Sequence, residues 1–130
     1  MKFARITFLI AGIYGLLVLI PGYFLEVPEY SFERTWGGVF PPPLTHPEFY
    51  YGFLGCAVAW QVVFLIIAKN PSRYRLIMLA ALIEKFSFAI AAIVLHFQNR
   101  IAGGPFAGAM VDLLLGALFI AAYLKTPRSA

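Results

Sequence analysis

The chain has 130 residues, 62% of them hydrophobic, 17% aromatic and 12% charged, with a mean hydropathy of +0.83. Soluble domains carry about 25% charged residues, and a chain this short buries only ~60–70% of the surface it exposes when unfolded. A water-soluble monomer and a disordered or low-complexity chain are both excluded, and the partner this composition predicts is the lipid bilayer. The formal charge of +4 does not point to nucleic acid, because the basic residues sit mostly at the ends of apolar segments, where they set topology.

The expected architecture is an all-α integral membrane four-helix bundle, one transmembrane domain over residues 1–130, with helices over about 3–20, 47–68, 71–97 and 105–124. The first apolar run, Phe3 to Ile20, is closed by Pro21-Gly22. Lys2 and Arg5 ahead of it give it the look of a signal peptide. No small-x-small cleavage pattern follows, so it reads as a retained first helix. Ala4, Ala11 and Gly15 mark a packing stripe on it.

A long connection follows, from Leu25 to Thr45. Val27-Pro28-Glu29 with Tyr30, Phe32 and Trp36, then Gly37-Gly38, predicts a short interfacial helix with a glycine stop. Phe40-Pro41-Pro42-Pro43 returns stiffly to the second helix. Tyr30, Phe32, Trp36 and Phe40 read as an aromatic interface anchor, as a lid over the bundle, or as a docking surface for another subunit.

The second helix opens at Thr45-His46-Pro47-Glu48, a capping box with proline in the first turn, which gives Glu48 a structural role. Gly52, Gly55 and Ala59 form its small-residue stripe, and Gln61 lies on the opposite side. Cys56, the single cysteine, excludes an intramolecular disulfide and reads as a small core residue. The third helix opens at Asn70-Pro71, an N-cap with a first-turn proline, and the fourth at Gly104-Pro105.

Glu84 and Lys85 in the third helix and Asp112 in the fourth fall about 15, 16 and 18 Å from the basic ends of their helices, close to the bilayer midplane. Lys85 is too deep to reach water with its stem and needs a partner, and Asp112 at matching depth is the partner named. Asp112 shares a small-residue face with Gly108 and Gly116, which directs it toward protein. Glu84 and Lys85 point about 100° apart, so both are inside only if the third helix is contacted on two sides. One cation against two carboxylates leaves an excess negative charge, so one carboxylate is expected to stay protonated, Glu84 if Asp112 takes the lysine, and Gln61 is placed to hydrogen-bond it. The set Gln61, Glu84, Lys85 and Asp112 reads either as a self-satisfied cluster locking helix register or as a site for a proton, ion or ligand.

His96 lies near the exterior end of the third helix, where an imidazole can ligate heme iron or chlorophyll magnesium. His46 lies outside the spans, so the facing pair of a two-histidine cytochrome is not available, and an interfacial histidine is the simpler reading. No metal site is expected; His46, Glu48 and His96 offer one on spacing alone. No GxSxG, HExxH, phosphate-binding loop, CxxC or paired acidic motif occurs, which argues against an enzyme.

Lys2, Arg5, Lys69, Arg73, Arg75, Lys125 and Arg128 fall on one side of the four spans, which predicts a multi-pass protein of the cytoplasmic (inner) membrane with both termini inside. Together with Tyr51-Gly52-Phe53-Leu54-Gly55 opening the second helix, the basic Lys69–Arg75 turn and the polar loop between the first two helices, this layout resembles, over nearly the whole chain, the small bacterial membrane proteins grouped as DoxX-like. Some members of that group are similar to accessory subunits of membrane redox complexes such as thiosulfate–quinone oxidoreductases. The resemblance therefore implies a non-catalytic accessory subunit of a larger, multi-subunit membrane complex, redox or energy-transducing in kind. It assigns no residue a role. The rival expectation is a small self-associating transporter or ligand-binding bundle working through Glu84, Lys85 and Asp112. The partners foreseen are other membrane subunits or further copies of the chain.

Overall fold

Proline decides where the first helix stops. α1 runs Lys2–Leu19, and Pro21, which cannot donate to the helix ladder, turns the chain into a 3-10 segment over Ile20–Tyr23. α2 runs Pro47–Lys69, α3 Ile77–Phe97 and α4 Gly103–Lys125. These elements come from a computed structural model that describes residues 1–24, 47–101 and 103–128. Each of the four helices is long and apolar enough to cross a membrane, and there is no strand among the described residues. The loop residues Tyr30, Phe32, Trp36, Phe40 and His46 lie outside the described residues.

Two helix boundaries differ from the sequence expectation. The third helix starts at Ile77 rather than Pro71. Asn70 does cap the segment, its Oδ1 accepting from Arg73 N at 3.2 Å. The next residues then form tight i→i+3 turns, with Ile77 N bonded to Tyr74 O, Met78 N to Arg75 O and Leu79 N to Leu76 O. The fourth helix starts at Gly103, before Pro105, because first-turn amides have no partner within the helix and a proline there removes nothing.

α1 packs along α2 and α3 along α4; the pairs join mainly through α1 and α4, while α2 and α3 barely touch. Small residues allow the close pairs. Gly12 and Gly15 lie directly against the Leu65 and Gln61 side chains of α2, and Ala4, Ala11 and Gly15 are all buried. On α3 the buried residues are Met78, Ala81, Lys85, Ala89 and Ala92, and Gly116 of α4 lies against the Phe86 ring of α3.

The apolar core sits toward one end. Phe8, Phe64 and Phe119 bring α1, α2 and α4 together, with Phe8 stacked on Phe119 at 4.2 Å and Phe64 edge-on to Phe119 at 5.0 Å. The same end collects both termini and the α2–α3 turn. Ser72 Oγ donates to Met1 Sδ at 2.9 Å, Arg75 Nε donates to Thr126 O at 2.8 Å, and the Lys125 ammonium lies 4.5 Å from the Phe3 ring. At the other end Tyr50 donates its hydroxyl to Gly22 O at 3.0 Å, pinning α2 to the 3-10 segment.

One residue expected inside the bundle is outside it. Cys56 is exposed rather than core. The Gly52, Gly55 and Ala59 stripe of α2 also faces outward, with nothing within 4 Å of where a Gly52 Cβ would stand. α2 turns its Gln61–Phe64 side to its neighbours instead, because that side carries the bulky core residue.

Candidate functional site: a polar floor beneath a membrane-embedded cavity

Because α2 and α3 stand apart, the bundle opens away from its aromatic core. The opening is a cavity of about 1280 Å³ lined by residues of all four helices. Ligand pockets generally measure about 300–1,000 Å³, so the space is ample for a small molecule. Its walls are mostly apolar, with Val18, Phe53, Trp60, Ile83, Phe88 and Val111 among them, and Gln61, Glu84, Lys85 and Asp112 line it together with the hydroxyl-bearing Tyr14 and Ser87.

Lys85 and Asp112 meet at the floor. Lys85 Nζ donates to Asp112 Oδ1 at 3.1 Å, and Lys85 is only 4% exposed. The ammonium also lies 5.2 Å from the Phe64 ring centroid, which favours a desolvated cation. The pair therefore lies between the aromatic core on one side and the cavity on the other. Ala81, Ala89 and Ala92 share the buried side of α3 with Lys85, and small residues of this kind let neighbouring helices approach closely.

Glu84 is placed differently. Its Oε2 pairs with Lys85 Nζ at 3.4 Å, and that buried oxygen accepts no hydrogen bond from the described residues. The sequence called for protein contacts on both sides of the third helix. The structure puts α4 on the Lys85 side and the cavity on the Glu84 side, together with Ala80, Ile83, Ser87 and Phe88.

Gln61 does not bond Glu84, which corrects that expectation. Its Nε2 donates to Ala57 O of its own helix at 2.9 Å, because Gly15 of α1 leaves the space into which the amide folds. Gln61 Oε1 is buried without a partner among the described residues, in a residue 2% exposed. The sequence signal for this was the glycine on α1, which makes room for a neighbouring side chain as well as a neighbouring backbone.

His96 lies at the opposite end from the termini, stacked on Phe106 with ring centroids 4.0 Å apart, and its Nδ1 is buried without a partner among the described residues. Among the described residues no group of three His, Cys, Asp or Glu side chains is placed to hold a metal ion. Glu48 occupies the first turn of α2, where a carboxylate complements the helix dipole.

The cavity itself was missed by the sequence reading. It follows from helix pairing, which periodicity does not encode, although Gly108, beside open space, and Cys56 both line it. The arrangement can take up an elongated apolar body and present hydrogen-bond acceptors to one polar end of it. No family model, no curated protein and no solved structure matches the chain.

Proposed function

We propose that this chain is a small membrane-embedded bundle that binds an amphipathic small molecule in the cavity between its helix pairs. The observation carrying this reading is the joining of a roomy apolar cavity to a polar floor near the middle of the spans, at Gln61, Glu84, Lys85 and Asp112. Ionisable groups at that depth are costly to keep and are functional-site candidates for that reason. By the excess of Lys and Arg at the end carrying both termini, the bundle sits with that end in the cytoplasm of a bacterial inner membrane.

The test is to purify the full chain from its membrane in mild detergent and look for a bound small molecule by native mass spectrometry and solvent extraction. Wild type is expected to retain one, and Gly108→Phe, which places a ring in open space, is expected to lose it. Equal retention by both proteins, or none by either, would contradict the reading.

A second reading is favoured by the outward face of α2, where Gly52, Gly55 and Ala59 are exposed. Small residues in lipid serve close helix contact, which supports a non-catalytic accessory subunit of a larger membrane complex or a self-associating bundle. The DoxX-like resemblance supports the same role. Stoichiometric co-purification with a larger partner is its expected outcome, and isolation as a lone monomer would count against it.

A further inference from the structure

The end that carries both termini draws its positive charge from three separate stretches of sequence. Lys2 and Arg5 come from the start of α1, Lys69, Arg73 and Arg75 from the α2–α3 turn, and Lys125 and Arg128 from the end of α4. Contacts between the stretches join them into one surface: Ser72 meets Met1, Arg75 reaches Thr126 O, and Lys125 lies against the Phe3 ring. All of these cations except Arg75 are exposed.

No carboxylate answers this charge among the described residues. Glu48 stands in the first turn of α2, at the opposite end, and Glu84 and Asp112 are both paired with Lys85. Cations crowded on one end of a small bundle repel one another, and an anion brought among them relieves that repulsion.

The apolar residues interleaved with the cations decide what kind of anion fits. Leu76, next to Arg75, is 74% exposed, and Leu124, next to Lys125, is 72% exposed. Ile6, Leu9 and Ile10 continue an exposed apolar face of α1 beyond Lys2 and Arg5. Side chains of this kind belong against acyl chains, which sets the neighbouring ammonium and guanidinium groups at headgroup height. A soluble anion or an acidic protein segment meets only the charge; an anionic lipid meets the charge and the leucines with one molecule. Arg75 adds a fixed element, its guanidinium lying 3.8 Å over the Tyr123 ring with Nε bonded to Thr126 O. That fastens a planar group whose geometry matches phosphate oxygens.

We propose that this end of the bundle is a binding surface for anionic phospholipid, with the headgroup phosphate among the cations and the acyl chains along the exposed leucines and isoleucines. It uses different residues from the cavity and does not depend on what the cavity holds.

The experiment reconstitutes the full chain in phosphatidylcholine bilayers containing a trace of spin-labelled phosphatidylglycerol or spin-labelled phosphatidylcholine. Electron paramagnetic resonance then gives the fraction of each lipid held at the protein. Phosphatidylglycerol should be preferred about fivefold at low salt, the factor that one basic residue near an anionic lipid surface supplies. The preference should fall toward parity in 1 M salt, where charges are screened beyond about 3 Å. Changing Lys69→Gln and Arg73→Gln together, both at exposed positions, should roughly halve the preference or more, whereas Arg100→Gln at the opposite end should leave it unchanged. Equal retention of the two lipids by wild type would overturn the proposal and leave the surface to an acidic protein segment. A preference indifferent to salt, or lost equally on changing either end, would also overturn it. The wild-type comparison and its salt dependence need no variant, so they decide the matter even if the double variant does not fold.

Discussion

Lys85 Nζ lies 3.1 Å from Asp112 Oδ1, and this single contact closes the aromatic core on one side and floors the cavity on the other. The two residues come from neighbouring helices 27 positions apart in sequence. Pairing them makes burial of a lysine tolerable, and leaves Glu84 Oε2 with an ion-pair contact to the same ammonium at 3.4 Å.

Lys85→Met should therefore be costly, because it strands two carboxylates in a low-dielectric setting. Loss of one member of a buried ion pair costs about 3–5 kcal/mol, to be read from the midpoint of detergent-induced unfolding. The double variant Lys85→Met, Asp112→Leu should lie closer to wild type than Lys85→Met alone. Strict additivity of the two changes would show that the pair is not coupled.

Gly12 and Gly52 should respond oppositely to alanine. A Cβ on Gly12 would stand 2.7 Å from Leu65 Cδ2 and 2.9 Å from the Gln61 carbonyl oxygen, so α1 and α2 would have to separate. Overpacking of this kind costs about 1–3 kcal/mol. A Cβ on Gly52 meets nothing within 4 Å, so Gly52→Ala should leave stability unchanged or slightly improved. Thermal unfolding of both variants checks the contrast.

Asn99 ends α3 in the left-handed conformation, with φ 54°. Asn99 N bonds to His96 O and Arg100 N to Leu95 O, each at 2.9 Å, which makes a Schellman cap with asparagine in the glycine position. Asn99→Gly should hold or raise stability, whereas Asn99→Val should lower it by about 1–2 kcal/mol, since a β-branched residue resists positive φ. Equal melting temperatures for the two variants would speak against the cap.

The basic end should behave as one surface of the membrane. Arg75 reaches Thr126 O at 2.8 Å and lies 3.8 Å over the Tyr123 ring, and Ser72 meets Met1, so both termini and the α2–α3 turn share an end. Reporters fused to either terminus or inserted at residue 72 should all report the cytoplasm. A split result between the termini would contradict the bundle.

The spans were legible from the sequence because their cause is local: apolar runs of sufficient length punctuated by Pro21, Pro47, Pro71 and Pro105. Depth counting also matched Lys85 to Asp112, since rise per residue is the same in both helices. What stayed hidden depends on which helices pair. Gln61 was taken as a partner for Glu84, but Gly15 accommodates it against α1 instead. Cys56 reads as a core residue yet is exposed, and the Gly52–Ala59 stripe marks close contact in lipid without saying with what. The gap between α2 and α3 has no signature in either helix alone.

The cavity is the centre of this account, and Trp60 in its wall reports on it directly. The chain has two tryptophans, so Trp36→Phe leaves Trp60 as the only one. Its fluorescence should be quenched saturably by a brominated amphiphile, with saturation lost when Gly108→Phe fills the space. Quenching that rises without saturation and equally in both proteins would show contact with bulk lipid alone, and would contradict a binding cavity between the helix pairs.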